Sequence, residues 1–396
     1  MTVEKSRLFI LNLYFVFLGM VVAWLLYRVA REHSDRPAFC AFFVLFALYG
    51  TFLWNYQRGQ TYELFQVLFF IAFLFYYQRF LGRTRTPELL FATLCVGVLV
   101  HVKSIYVFIL PFVGVGALIA LARNRPSGEA MGKWWVDSTS LRMLALGFLM
   151  PAVAAVILLL LANDHKFGSA LNTGYGQWYR YEGVDLFAGD AGEAIRGFLV
   201  DPQRSVFLHF PLLIFAVWGV RQFWRRRPHE AVLICAIFLG YFLLYAKFID
   251  WKGEWSYGPR YLLFVLPVLS LPFLVVLDAV HREGGRWHSL LLWALLVPVV
   301  AAGVASQVLV NSLDFFAYYQ FKNAASGLGL LDNPMAAAYF RDTHFALVHL
   351  DLINYLKNGT APPFVENGSF ADVQLRLWLS ENITGNYFWW DLFETR

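Results

Sequence analysis

Long apolar segments separated by short polar loops occupy most of the chain up to residue 310. About ten of them are long enough, or nearly so, to cross a bilayer, because roughly 20 apolar residues in a helix span its hydrocarbon core. Of the 396 residues, 59% are hydrophobic and only 15% are charged, which is too apolar for a soluble domain of this length. We therefore predict an all-α, multi-pass membrane protein. The predicted spans are 8–27, 37–54, 60–80, 88–102, 104–121, 141–162, 206–221, 231–249, 260–278 and 288–310.

The basic residues predict how these helices are oriented. Arginine concentrates in alternate loops, and the loops between them contain few basic residues. Because basic loops stay in the cytoplasm, the arginine-rich set should face the cytoplasmic side of an inner membrane. The basic residues of these cytoplasmic loops then account for the formal charge of +5. We therefore expect no nucleic-acid partner. The arginine-rich loops contain Arg28, Arg31 and Arg36; Arg79, Arg83 and Arg85; Arg123, Arg125, Lys133 and Arg142; Arg221 and Arg225 to Arg227; and Arg282 and Arg286.

The remaining loops are predicted to lie on the outer face. The transmembrane domain should cover residues 1–310 and carry two polar outer loops, 163–205 and 250–259. Residues 311–396 mix apolar runs with turn signals, so they should form an outer-face tail or cap. The first span would then run inward from an outside N-terminus, although no signal peptide precedes it.

The cysteines indicate neither a disulfide framework nor a metal site. All three fall inside apolar segments, without the spacing of paired cysteines or metal ligands. We interpret them as small buried hydrophobic residues, and no cofactor is evident. They are Cys40, Cys95 and Cys235.

A polar, aromatic stretch, Trp251-Lys-Gly-Glu-Trp-Ser-Tyr-Gly-Pro-Arg260-Tyr, runs directly into an apolar segment. Gly253 and Gly258 allow tight bends, and Pro259 suits the first turn of a helix. Arg260 would then lie in the first turn of a membrane helix, where it must reach the interface or bind an anion. The alternative is an interfacial aromatic belt with a snorkelling arginine.

Several motifs together resemble those of the C-fold (GT-C) glycosyltransferases that use polyprenyl-phosphate sugars. The resemblance is to the bacterial branch akin to protein mannosyltransferases and aminoarabinose transferases, and it covers most of residues 8 to 280. The segment that begins at Asp201-Pro-Gln-Arg204 enters one span, and the Trp251 stretch opens another. Trp54-Asn-Tyr-Gln-Arg-Gly-Gln-Thr-Tyr-Glu63 opens the third span, and Lys103 follows the fourth.

The resemblance implies transfer of a sugar, on the outer membrane face, from a polyprenyl phosphate to a glycan, lipid or protein acceptor. A leaving phosphate needs cations at the depth of the lipid headgroups, and arginine binds phosphate through two donors. The candidate phosphate ligand is Arg260, with Lys103 and Arg204 as helpers. Glu63 is the candidate carboxylate that orients the acceptor hydroxyl or takes its proton. The aromatic candidates for stacking on the sugar, or for anchoring the interface, are Trp251, Trp255 and Tyr257.

The chain also departs from the family pattern. Family members begin with a cytoplasmic N-terminus, a first span and a large outer loop that carries a catalytic aspartate, whereas residue 8 here already resembles the second span. We therefore expect a longer natural gene, or a chain that has lost the catalytic step. One alternative is a non-catalytic subunit or binder of lipid-linked sugars that retains the pocket. A second is a polymerase or ligase of lipid-linked glycans.

Overall fold

The computed structural model describes residues 3–58, 61–123, 138–181, 183–253, 256–283, 285–313 and 317–383. Within these ranges every regular element is a helix, and no strand occurs. The longer α-helices up to residue 311 are Val3–Arg31, Pro37–Tyr49, Glu63–Arg83, Thr86–Val102, Ile109–Arg123, Met150–Phe167, Ala191–Val200, Leu212–Arg226, Pro228–Lys247, Pro272–Glu283 and Arg286–Asn311. Shorter helices are Leu53–Arg58, Ser138–Leu144, Gly174–Tyr181, Val206–His209 and Leu266–Leu269. The α-helices that follow are Ala317–Gly327, Pro334–Asp342, Phe345–Asn358 and Phe370–Asn382.

Six helices in the described part of the chain are long and apolar enough to cross a membrane. Two more of the predicted spans are apolar helices of 13 and 17 residues, Pro37–Tyr49 and Thr86–Val102. The described residues are thus all-α, with the helices of a multi-pass membrane protein, and the predicted count of ten spans is not confirmed. The six are Leu13–Arg31, Glu63–Arg83, Ser104–Ala122, Ser138–Phe167, Pro228–Lys247 and Trp287–Asn311.

The predicted span 206–221 is broken near its start. A helix of four residues, Val206–His209, is separated from Leu212–Arg226 by Phe210 and Pro211. The residue before a proline disfavours helical dihedrals, and Phe210 has φ −135° and ψ 70°. The 15-residue helix that remains is about 22 Å long, which is shorter than the hydrocarbon core.

The predicted span 260–278 is also discontinuous. Arg260–Leu262 form a 3-10 turn, so Arg260 lies in that turn and not in the first turn of an α-helix as predicted. Two further helices, Leu266–Leu269 and Pro272–Glu283, each begin at or next to a proline, because proline cannot donate the backbone hydrogen bond that would continue a preceding helix.

The arginine-rich loops meet at one end of the helix bundle. His33 Nε2 lies 2.9 Å from Glu230 Oε1, and the side chains of both residues are almost fully buried. Gln78 Nε2 also donates to that carboxylate. Ser34 Oγ donates to Asp278 Oδ1 over 2.9 Å. These contacts join the loop after the first helix to three other helices, at the end where the sequence predicts the cytoplasmic loops.

The loops predicted to be external meet at the opposite end, where the C-terminal helices also pack. Gln203 Nε2 donates to Tyr318 Oη over 2.9 Å, which joins the 163–205 loop to the C-terminal helices. The ring of Phe345 lies 4.4 Å from that of Tyr318 and 5.2 Å from that of Tyr257. The C-terminal helices therefore cover the loop that contains Tyr257.

Candidate functional site

Lys103 lies at a joint between two membrane helices. The helix Thr86–Val102 ends before it and the 3-10 turn Ser104–Phe108 follows it, while Lys103 itself is extended, with φ −154° and ψ 118°. The predicted break in this long apolar run is therefore confirmed. An ammonium group at such a joint lies at a helix end, where a cation is tolerated better than in the middle of a span.

Three tyrosine rings surround the ammonium group of Lys103. Its Nζ atom lies 4.5 Å from the ring centroid of Tyr261, 5.4 Å from that of Tyr245 and 5.5 Å from that of Tyr175. The rings of Tyr245 and Tyr261 are stacked, with centroids 4.7 Å apart. Aromatic faces attract cations, so this cage stabilises the charged lysine. No carboxylate oxygen of the described residues lies within 4 Å of its nitrogen, so the charge remains available to an anion.

Further charged groups lie around the cage. The pKa of Lys103 is lowered to about 8, mainly by burial and then by the charge of Arg260, while the charges of Glu63 and Asp250 oppose these effects. Arg260 Cζ lies 5.0 Å from the ring centroid of Tyr261, so both cations contact that ring. The Nε atom of Arg260 is buried and has no hydrogen-bond partner among the described residues. The cluster thus holds two cations close together, an arrangement that an anion would stabilise.

A cavity of about 630 Å³ opens beside Lys103. One part of its wall is apolar and comes from the helices Thr86–Val102 and Met150–Phe167, while the other part is polar. Arg260 and Glu63 do not line it, and Glu63 is only 4% exposed. The apolar wall includes Val100, Val102, Leu159, Ala162 and Phe167, and the polar wall includes Tyr62, Lys103, Asn163, Lys166, Tyr175 and Asp250.

Arg204, another predicted phosphate ligand, holds the loop that follows Trp251. Its Nη1 atom donates to the carbonyl oxygens of Ser256, over 2.6 Å, and Gly258, over 3.2 Å. Its Nη2 atom donates to Tyr319 Oη over 3.4 Å, and the residue is only 6% exposed. Gly258 has φ 67°, and a Cβ atom there would overlap Phe52. Arg204 therefore keeps this tight turn in place from a position outside the Lys103 cavity.

The predicted aromatic residues of the same loop are packed inside the protein. Trp251 is 5% exposed and its ring lies 5.4 Å from that of Phe198. Tyr257 is 4% exposed, and its hydroxyl group accepts a hydrogen bond from Gln307 Nε2. Both side chains support the loop in this structure, which is closer to an anchoring role than to stacking on a sugar. Trp255 lies outside the described residues.

Sequence reasoning missed Asp250 and the tyrosine cage. Asp250 lines the cavity, and Tyr261 Oη donates to its Oδ2 atom over 3.5 Å. Its only sequence signal is that it directly precedes the Trp251 stretch. Tyr175 and Tyr245 come from segments 70 residues apart, and no local pattern predicts that they share one lysine.

The described residues contain no group of three or more His, Cys, Asp or Glu side chains placed to hold a metal ion. The histidines near the C-terminal helices, His209 and His349, are buried and packed against neighbouring side chains. Burial lowers the pKa of His349 to about 4. Its Nδ1 atom lies 2.7 Å from the carbonyl oxygen of Phe345, so the neutral ring donates a hydrogen bond there.

No family model, curated protein or solved structure matches this chain.

Proposed function

We propose that this chain is a membrane glycosyltransferase that takes a sugar from a polyprenyl-phosphate donor and transfers it to a glycan, lipid or protein acceptor. The observation that carries the proposal is a caged Lys103 at the polar end of a cavity whose other wall is built from two membrane helices. The proposal includes a location in the cytoplasmic membrane, with the reaction on its outer face.

The two halves of the cavity suit the two halves of such a donor. An isoprenoid chain is apolar and would lie against side chains such as Val100, Leu159 and Phe167. The phosphodiester carries one negative charge, which the Lys103 ammonium would bind and which Lys166 would supplement. Arg260 does not line the cavity, but its charge is close enough to lower the pKa of Lys103 and so adds to the positive potential there.

Asp250 is the carboxylate best placed to act on an acceptor, since it lines the cavity and Glu63 does not. In the reaction, the acceptor hydroxyl oxygen attacks the anomeric carbon of the sugar. The bond from that carbon to the phosphate oxygen breaks, and the phosphate leaves with the electron pair. The Asp250 carboxylate takes the hydroxyl proton, and Lys103 stabilises the charge on the departing phosphate.

Sugar transfer from a radiolabelled polyprenyl-phosphate donor, in membranes with matched expression, tests these roles. Lys103→Gln and Asp250→Asn should each lower the rate by roughly thirtyfold to a thousandfold, which is the effect of losing about 2–4 kcal/mol of transition-state stabilisation. Lys357→Gln, a matched loss of one exposed positive charge outside the cavity, should change it less than twofold. Wild-type rates for both Lys103→Gln and Asp250→Asn would contradict the assignment.

Two further variants separate the predicted roles of the buried groups. If Arg260 binds the phosphate directly, Arg260→Lys should lower the rate, because lysine keeps the charge and loses the paired donors. If Arg260 acts only through its charge, the lysine variant should retain most of the activity. Glu63→Gln keeps the shape of the buried side chain and removes its charge, so unchanged transfer would show that the Glu63 carboxylate has no role in the reaction.

A second candidate function is a binder of lipid-linked sugars without catalysis. The observation that favours it is the position of Glu63, the predicted catalytic carboxylate, outside the cavity lining. A binder would retain donor in a pull-down that depends on Lys103, yet it would transfer no sugar, and Asp250→Asn would leave donor binding unchanged.

A further inference from the structure

Two arginines at the arginine-rich end of the molecule contact the same aromatic ring. Arg28 Cζ lies 5.8 Å from the ring centroid of Phe75, and Arg79 Cζ lies 5.3 Å from it. Arg28 Cζ also lies 5.7 Å from the ring centroid of Trp24. Because the faces of aromatic rings attract cations, these contacts hold both guanidinium groups beside one ring. The arrangement places two positive charges close together, which an anion would stabilise.

Neither arginine has a partner that would neutralise its charge. No carboxylate oxygen of the described residues lies within 4 Å of either guanidinium group, and neither group donates a hydrogen bond to another described residue. Other arginines at this end do have carboxylate partners. Arg282 Nη2, for example, lies 3.5 Å from Asp35 Oδ2. The charges of Arg28 and Arg79 therefore remain available to an anion from outside the described residues.

Both arginines lie near the ends of apolar helices that are long enough to cross a membrane. Arg28 is in the last turn of Leu13–Arg31, and Arg79 is one turn before the end of Glu63–Arg83. Exposed apolar side chains recur three or four residues apart along the first of these helices, so they share one face with Arg28. At 1.5 Å per residue this stripe is about 22 Å long, which exceeds half of the roughly 30 Å hydrocarbon core. The stripe contains Leu13, Phe17, Met20 and Trp24.

We propose that Arg28 and Arg79 bind the phosphate group of an anionic phospholipid, one of whose acyl chains lies along the apolar stripe. The leaflet is the one at this end, which the positive-inside rule predicts to be cytoplasmic. A phospholipid joins a phosphodiester anion to an apolar chain, and the surface offers a cationic end and an apolar stripe in that order. Arginine also presents paired donors that suit a phosphate. This surface lies at the opposite end from the Lys103 cavity, so the proposal does not rest on the proposed glycosyltransferase function.

Native mass spectrometry of the purified full chain in detergent tests the proposal by measuring the affinity of the first bound lipid. The two probes are dioleoyl phosphatidylglycerol and dioleoyl phosphatidylcholine, which have the same chains and differ in net charge. Phosphatidylglycerol, the anionic lipid, should bind at least about tenfold more tightly than phosphatidylcholine, because each arginine near its phosphate adds to the attraction. The double variant Arg28→Gln with Arg79→Gln should abolish this preference and leave the affinity for phosphatidylcholine unchanged.

The matched control is the double variant Arg225→Gln with Arg226→Gln, which removes two exposed arginines at the same end. It should change the preference for phosphatidylglycerol less than about twofold. Equal affinities of the two lipids in the wild type, or equal losses of preference in the two double variants, would overturn the site. If the Arg28 and Arg79 double variant loses both lipids through a disturbed fold, the single variants Arg28→Gln and Arg79→Gln decide. Each should lower the preference about threefold or more, and an unchanged preference in both would overturn the site.

Competition with glycerophosphoglycerol, the headgroup of phosphatidylglycerol without its acyl chains, distinguishes a lipid site from a site for a soluble phosphodiester. At about a hundredfold excess it should leave phosphatidylglycerol bound, because it lacks the chain that contacts the apolar stripe. Displacement of the lipid by an equal concentration of glycerophosphoglycerol would make the ligand a soluble anion and would overturn the assignment to a phospholipid.

Discussion

At the scale of single residues, the proposed sugar transfer depends on a lysine that is kept charged without a carboxylate partner among the described residues. The three tyrosine rings around Lys103 attract its positive charge without neutralising it, as a carboxylate at contact distance would. Burial and the charge of Arg260 both lower its pKa, to about 8. Lys103 is therefore protonated at neutral pH, and it releases its proton at a lower pH than an ordinary lysine would.

This lowered pKa predicts a pH limit on donor binding. A phosphodiester keeps one negative charge across the neutral and alkaline range, so the change in affinity must come from the protein. Affinity for the polyprenyl-phosphate donor should be constant below about pH 8 and fall as pH rises above it, because deprotonation removes the charge of Lys103. Equilibrium binding of radiolabelled donor from pH 6.5 to 9.5 measures this.

The control for this pH limit is Lys103→Arg, because arginine stays protonated over the whole range. Its affinity for the donor is expected to be lower than that of the wild type and nearly independent of pH. An alkaline loss of affinity that persists in the arginine variant would assign the titration to another group.

Of the charged residues that the sequence predicted for the site, Lys103 lines the cavity, whereas Arg260, Arg204 and Glu63 do not. Lys103 was identifiable because a charged residue that interrupts a long apolar run has few structural explanations. Asp250 belongs to no motif that singles it out, whereas Glu63 ends the family-like stretch that begins at Trp54. Only the packing of Tyr62 and Asp250 around the cavity shows which carboxylate reaches it, because that depends on contacts between distant segments.

At the scale of elements, the turn 256–258 shows why an arginine in a family-like motif need not touch a substrate. Arg204 donates to two carbonyl oxygens of this turn, which also accept hydrogen bonds from Tyr319 Oη and from the backbone amide of Arg260. This turn also positions Tyr257, whose carbonyl oxygen accepts a hydrogen bond from the Tyr56 hydroxyl over 2.8 Å. Arg204 thus connects the segment before one broken span to the segment before the other.

Replacement of Arg204 by alanine should therefore destabilise the protein. Two buried carbonyl groups would lose charge-assisted hydrogen bonds, at a cost of about 2–4 kcal/mol. Thermal unfolding in detergent, followed by the loss of monomeric protein on size-exclusion chromatography, measures the effect. Arg341→Gln, which removes an exposed arginine at the same end, should unfold at the wild-type temperature. Unchanged stability together with weaker donor binding would instead make Arg204 a substrate ligand.

The positions of the helices were predictable to the extent that apolar length determines them. The break at Lys103 and the six long spans follow from composition and from one charged residue. The interruptions at Pro211, Pro267 and Pro272 lie inside apolar runs, where hydropathy alone shows no boundary. Proline chemistry could have indicated them, since each removes a backbone donor that a continuous helix needs.

At the scale of the whole molecule, the chain divides its polar groups between two ends. The arginine-rich end is held by buried pairs such as His33 with Glu230, and the other end holds the Lys103 cavity and the C-terminal helices. The positive-inside rule predicts that the first end is cytoplasmic, which would place the Lys103 cavity on the outer face. Under the proposed function, this sidedness would let a lipid-linked donor in the outer leaflet reach Lys103.

Cysteine labelling tests the sidedness directly. In a background with the three native cysteines replaced, single cysteines are placed at Asn358, in the C-terminal helices, and at Arg225, in an arginine-rich loop. Both positions are exposed, so reactivity with a membrane-impermeant maleimide reports the compartment and not burial. In intact cells or spheroplasts the cysteine at 358 should react and the cysteine at 225 should react only after lysis. The reverse pattern would place the Lys103 cavity on the cytoplasmic side and would contradict sugar transfer on the outer face.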